Sequence, residues 1–126
     1  MKRLWIALAI LAAVFAATLF NAHYLNGFTQ ELTGLLTRAE AQAEAGNWPE
    51  AEALTRSAYG AWEEHSGYLH ISLRHSDIDQ IHTTFREVQE FINCREGGEY
   101  SAANARLTSQ IGLLYEAEQL TLKNVL

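Results

Sequence analysis

The chain has 126 residues, a length suited to one small domain. One proline and an abundance of Ala, Leu and Glu favour helix, no run of Val, Ile and Thr alternates with polar residues to suggest a strand, and the lone Cys94 excludes an internal disulfide or a paired-cysteine metal knuckle. The formal net charge is −6, and setting Lys2 and Arg3 aside leaves seven basic and 15 acidic residues, or −8, a balance that argues against nucleic acid as a partner and against electrostatic docking on anionic lipid.

The first element is apolar. Met1-Lys2-Arg3 makes a basic start, and Leu4–Phe20, LWIALAILAAVFAATLF, is interrupted only by Thr18. As a helix those residues reach roughly 26 Å, slightly short of a hydrocarbon core of about 30 Å. Ala22, Tyr24 and Leu25 extend it, and Tyr24 suits the headgroup level. The basic tip predicts an N-terminus held in the cytoplasm and a remainder outside. A cleaved signal peptide has a similar start, but TLFNAHYLNGF offers no clean pair of small residues for cleavage, so an uncleaved anchor over residues 1–25 is the expectation.

Helical periodicity follows. Phe28, Leu32, Leu35, Ala39 and Ala43 mark one face, and Gly46 ends that segment. Pro49 opens the next helix, where a missing N–H does no harm. Its stripe is Ala51, Leu54, Ala58, Trp62, His65 and Leu69. Gly60 and Gly67 weaken it by about 1 kcal/mol each, which predicts a bend or stop near Gly67. A third helix carries Ile78, Ile81, Phe85, Val88 and Ile92 and is expected to end at Gly97-Gly98. A fourth carries Tyr100, Ala103, Leu107, Ile111 and Leu114, and the tail LTLKNVL is left to cap the open end of the layer or dock on a partner. Trp5 belongs to the membrane segment, whereas Trp48 and Trp62 are packing residues at a turn and in a core.

The two hairpin joints resemble each other. Gly46, Trp48, Ala51 and Ala53 are matched 52 residues later by Gly98, Tyr100, Ala103 and Ala105. The Gly-x-aromatic-x-x-Ala pattern is similar to the turn of tetratricopeptide repeats, but that family repeats at about 34 residues and needs more units than two. The pattern supports helical hairpins and carries no function.

The densest cluster of reactive side chains is HSDIDQIH, His75 to His82, preceded by His65 and His70. On a helix His75, Asp79, His82 and Arg86 share a polar stripe beside the apolar face. His75 and His82 are separated by a rise of roughly 10 Å, too far to share one zinc ion bound at about 2.0–2.1 Å. Metal binding would therefore take Asp79 with one of those histidines and His65 or His70 from the preceding helix. The competing reading is a helix start: Ser76 caps, Asp79 completes a variant of the capping box, and Asp77 and Asp79 lie at the positive end of the dipole. His65, on an apolar stripe, reads as a core histidine. No nucleophile elbow, phosphate loop or metalloprotease pair is present in the sequence.

Several of these features resemble one family. A basic start and anchor, an acidic first helix, NWPEAE at the joint, Trp62 with His65, His75-x-x-Ile78-Asp79 and the closing LTLKNVL are similar to domain-of-unknown-function family 4363, small bacterial proteins with one N-terminal membrane helix and a helical outer part. The resemblance implies topology and compartment, with no activity or catalytic residue to carry over.

The expectation is an all-α protein: one N-terminal transmembrane helix (domain 1–25) followed by an antiparallel helical-hairpin domain of about four helices (26–126), outside the cell membrane. It predicts a non-enzymatic, cofactor-free accessory or scaffold. Its expected partners are lipid through Leu4–Phe20, a membrane or envelope protein, and a second copy of the chain as a homo-oligomer. The alternative is a metal-binding or sensory module built from His65, His70, His75, Asp79 and His82.

Overall fold

The computed structural model describes the backbone of residues 1–72 and 75–125 and the side chains of residues 1–65 and 76–116. Four helices follow in order: α1 (Lys2–Glu44), α2 (Trp48–Ser72), α3 (His75–Cys94) and α4 (Gly97–Val125). No strand occurs among the described residues. Each helix packs antiparallel on its two neighbours in the cycle α1–α2–α3–α4, and among the described residues the backbones of diagonal pairs do not approach closely. This is an up-down-up-down bundle with short joints.

The expected anchor and first amphipathic helix are one element. α1 is unbroken over 43 residues, about 64 Å. Nothing between Phe20 and Phe28 favours a break: Gly27 is a single glycine, and the Asn26 carbonyl accepts from Thr29 Oγ1 at 3.0 Å without interrupting the helix. Side-chain cover changes sharply along it. Residues 2–17 are all exposed, whereas Leu25, Phe28, Leu32, Leu36, Ala39 and Ala43 are buried. The apolar stretch is long and apolar enough to cross a membrane and has no protein around it. Its one polar side chain, Thr18, donates to the Val14 carbonyl at 2.7 Å, the internal satisfaction that hydrocarbon demands.

The core grades from small to large. Ala39, Ala43, Ala51 and Ala103 pack near the two tight joints, where Trp48 meets the buried Tyr100 edge-on at 5.8 Å. Towards the anchor, Trp62 is fully buried between Phe28 (6.4 Å) and Phe85 (6.3 Å). Ile78, Ile81, Ile111 and Leu114 complete that end.

Several boundaries differ from the sequence expectation. α2 runs through Gly60 and Gly67 to Ser72, because the burial of its stripe outweighs two glycine penalties. α3 stops at Cys94, and Gly97-Gly98 open α4 instead of ending α3. LTLKNV continues α4 to Val125, so the tail is helical; its side chains lie outside the described residues.

The joints are equivalent, but in a different register from the 52-residue match. At the first, Gly46 N–H donates to Ala43 O and Asn47 N–H to Gln42 O; at the second, Arg95 N–H donates to Ile92 O and Glu96 N–H to Phe91 O. Both are Schellman turns. Gly46 (φ 83°) therefore corresponds to Arg95 (φ 55°), 49 residues on. The sequence match aligned aromatic and alanine contacts; the backbone aligns the left-handed residue, and at the second joint an arginine holds that position. Asn47 caps α2, with the Glu50 N–H donating to its Oδ1 at 3.4 Å.

Left-handed backbone disfavours any residue with a Cβ, and space is open around Gly46. Gly46→Ala should thus lower stability by about 1 kcal/mol and Arg95→Gly should raise it by about 0.5–1 kcal/mol. Thermal unfolding of the detergent-solubilised chain checks both; equal effects of the same sign would contradict the assignment.

Candidate functional site

The histidine and aspartate candidates are kept apart: His65 and His82 enter different seams of the bundle and Asp79 stays at the surface. His65, on α2, turns towards α1. Its Nδ1 lies 2.8 Å from the Ala61 carbonyl, to which only a protonated nitrogen can donate, and its ring packs on Phe28 at 4.6 Å and Tyr24 at 5.7 Å. His65 thus bonds a neighbour on the apolar stripe as expected, but it is half-buried at the edge of the core and not enclosed in it. His82, on α3, turns towards α2. Asp79 is exposed on the rim of the α3–α4 groove, beside Gln80, Thr83 and Arg106. The stripe of His75, Asp79, His82 and Arg86 drawn from helical spacing is thereby split, because half-buried His82 is drawn into a seam while Asp79 stays in solvent. His70 and the His75 side chain lie outside the described residues. Among the described residues no group of three or more His, Cys, Asp or Glu is placed to hold a metal ion.

Ser76 falls inside the first turn of α3 rather than before it, so it is not the cap that its spacing to Asp79 suggested. The helix already includes His75. Asp77 remains a first-turn acid at the positive end of the dipole.

The most connected polar group is the one around His82. Trp62 Nε1–H donates to His82 Nδ1 at 3.4 Å, and His82 Nε2 lies 2.9 Å from Tyr59 Oη. Indole nitrogen can only donate, so Nδ1 must be the acceptor and Nε2 carries the proton of a neutral ring. Nε2–H then donates to Tyr59, and the Glu63 carboxylate lies beside that hydroxyl, one turn along α2. Burial first, and then Glu63, raises the Tyr59 hydroxyl above its ordinary pKa, with the Arg86 charge opposing. Both nitrogens of His82 are engaged by neighbours. Acting as a metal ligand or general base would break one of those bonds. The arrangement ties α2 to α3 and orders Trp62 within the core.

Sequence reasoning missed Tyr59 and Glu63. The usable signal was their spacing: Tyr59, Trp62 and Glu63 share one side of a helical turn, facing a partner helix with a histidine beside its apolar stripe.

It also missed a second polar group near the joints. Thr55, Tyr100 and Asn104 are almost fully buried. Asn104 Nδ2 donates to the Leu36 carbonyl at 3.0 Å, and Ser101 Oγ donates to Glu40 Oε1 at 2.7 Å. The hydroxyls of Thr55 and Tyr100 approach each other without forming a well-aligned hydrogen bond, and Asn104 Oδ1 has no protein donor. Burial pushes the Tyr100 hydroxyl up to about 12; Glu40 adds to the shift, Thr55 opposes it, and Glu44 contributes least.

A four-helix bundle on an uncovered apolar extension, with its polar contacts tying helix to helix, defines a helical domain carried on a candidate membrane span. The family model described as a domain of unknown function (DUF4363) matches residues 19–125, and the chain belongs to that family. The match begins at Leu19, so the basic start and most of the apolar stretch lie outside it. No curated protein and no solved structure shows significant similarity to the chain.

Replacing His82 by leucine leaves the buried Trp62 N–H without an acceptor and should cost about 1–3 kcal/mol. Trp62→Phe in the His82→Leu background should cost less than Trp62→Phe alone, and a double-mutant cycle on the detergent-solubilised chain measures that coupling. The raised Tyr100 pKa sets a pH dependence. The folded state keeps the Tyr100 proton above pH 10 whereas the unfolded chain loses it, so this contribution is complete below pH 10 and is lost as pH rises towards 12. The wild type should lose about 2–3 kcal/mol more than Tyr100→Phe across that window, read as the difference between their denaturation midpoints.

Proposed function

We propose that the protein is a non-enzymatic, single-pass accessory of the cell envelope, with its N-terminus in the cytoplasm and its four-helix domain at the outer face of the membrane, where it binds a protein partner. The observation that carries this reading is α1: one helix without a break, bare over its apolar first half and buried in the bundle over its second. A domain built on the same helix as its anchor is held at a set height and tilt, which suits a spacer or scaffold. The charge distribution agrees, with Lys2 and Arg3 before the span and the acidic excess after it. Engagement of both His82 nitrogens by Trp62 and Tyr59, together with the separation of His65 and His82 into two seams and of Asp79 onto the surface, favours a structural use of these side chains over a catalytic one.

Protease added outside intact spheroplasts should digest the domain and spare the span; protection of the domain would reverse the topology. Partner binding is tested by photo-crosslinking residues at exposed positions such as Gln30, Thr37 and Glu90 in native membranes. A discrete adduct confined to one face is expected. An adduct of twice the chain mass would make the partner a second copy, and no adduct from any exposed face of the four helices would overturn the binding reading.

A further inference from the structure

Outside the apolar stretch of α1, Leu113 is the one large hydrophobic side chain exposed among the described residues, with 59% of its surface uncovered. It stands on α4 at the groove between α3 and α4. The Glu87–Arg106 ion pair sets the register of these two antiparallel helices. Steps of three or four residues back along α3 from Glu87 reach Gln80 and Asp77. The same steps forward along α4 from Arg106 reach Gln110, Leu113 and Glu116. Gln80 thus comes level with Leu113, and Asp77 with Glu116.

Two hollows lie along this groove and share Gln80 and Gln110. The one nearer the start of α3, about 250 Å³, is lined by Ile81, Leu113 and Leu114, with Asp77 and Glu116 beside them. The other, about 280 Å³, is lined by polar side chains throughout, Asp79 and Thr83 among them. Each is smaller than the roughly 300 Å³ at which small-molecule pockets begin, so the groove suits side chains of a macromolecule better than one enclosed ligand.

Charge narrows the occupant. Asp77, Asp79 and Glu116 have no cationic partner among the described residues, and Arg106, the cation lining the groove, is already paired with Glu87. The Gln110 side-chain oxygen, where the two hollows meet, is buried and has no donor among the described residues. A second copy meeting the same face would set its own acids against these, and anionic lipid would be repelled by them.

From this juxtaposition we infer that the α3–α4 groove is the docking face for a basic amphipathic helix of a partner protein. Apolar side chains of that helix lie on Leu113 and Leu114, and its lysines or arginines lie against Asp77, Asp79 and Glu116. The groove extends from Asp77 to Glu87, roughly 15 Å or about three helical turns. The inference rests on the reading of the domain as a partner-binding module and names the face and the chemistry of the partner.

Fluorescence anisotropy of a labelled peptide tests it, with the full chain in phosphatidylcholine nanodiscs and empty discs as the blank. The probe is a helix of about 14 residues with leucines on one face flanked by lysines. Saturable binding is expected, and its absence would overturn the inference. Leu113→Ser should weaken binding about tenfold. The combined Asp77→Asn, Asp79→Asn and Glu116→Gln should weaken it by about tenfold or more. Removing three exposed acids at the joints, with Glu50→Gln, Glu96→Gln and Glu99→Gln, should change it by less than about twofold, because they lie roughly 25 Å away and the screening length at physiological salt is about 8 Å. Equal losses in the two triple variants would reduce the binding to net charge and overturn the groove, as would full binding by Leu113→Ser. Thr83→Arg, at an exposed position in the groove, should weaken binding by repulsion and replaces the first triple variant should that lose helicity by circular dichroism. A photo-crosslinker at Leu113 in native membranes separates this inference from the reading beneath it. Adducts at Gln30, Thr37 or Glu90 with none at Leu113 would overturn the groove and leave partner binding intact. An adduct of twice the chain mass at Leu113 would make the occupant a second copy and overturn the basic helix.

Discussion

The structure depends on the continuity of α1. A helix of 43 residues whose first half has no protein cover and whose second half forms one wall of the core cannot be assembled as two independent parts. Apolar side chains such as Leu4, Trp5, Ile6 and Phe20 each leave more than half of their surface uncovered, an exposure that water would penalise heavily over a full span of helix. The backbone of that stretch satisfies itself by helical hydrogen bonds, and Thr18 satisfies its own hydroxyl. What is a liability in water is the ordinary condition of a helix in hydrocarbon. The same helix then supplies Leu25 to Ala43 to the bundle, so the direction of the apolar segment and the axis of the domain are one direction.

Around that wall the bundle uses its polar residues to choose between registers. Apolar faces of Ala, Leu and Ile pack acceptably in more than one offset, whereas a hydrogen bond between particular atoms does not. Trp62, Tyr59 and His82 form such a constraint between α2 and α3. Its cost is that all three groups are wholly or partly withdrawn from water, so loss of one partner strands another. The orphaned hydroxyls of Thr55 and Tyr100 show the same economy carried less far: polar atoms are buried for a shape that alanine-lined joints leave room for, without complete satisfaction.

Much of this was legible in the sequence because it rests on local periodicity. The stripes Ala51 to Trp62, Ile78 to Ile92 and Tyr100 to Leu114 are buried faces, as is that from Phe28 to Ala43 except that Leu36 and not the half-buried Leu35 enters the core, and the joint at Gly46 lies where glycine allows it. The second joint was misread because Arg95 takes the left-handed position that a glycine favours and that the sequence offers at Gly97 and Gly98; only the preceding carbonyl bonds identify the residue that turns. The continuity of α1 was missed for a related reason, since a change from apolar to amphipathic composition marks a change of surroundings and not of backbone. The site was the least legible. Helical angles placed Asp79 and His82 together, yet which flank of a stripe is drawn into a seam depends on the neighbouring helix, and Tyr59 and Glu63 come from that neighbour.

The relation of α4 to α1 is where these threads join. Glu40 and Leu36 each receive a bond from α4, from Ser101 and Asn104, at the end of the bundle where side chains are small and apolar packing is least discriminating. A slip of α4 by one turn would move its end by about 5 Å and would strand the buried Asn104 amide. Two polar contacts near the joints therefore set how far the other end of a 29-residue helix reaches along the apolar part of α1. The register fixed at the far hairpin is carried along the helix to the level at which α4 ends beside α1.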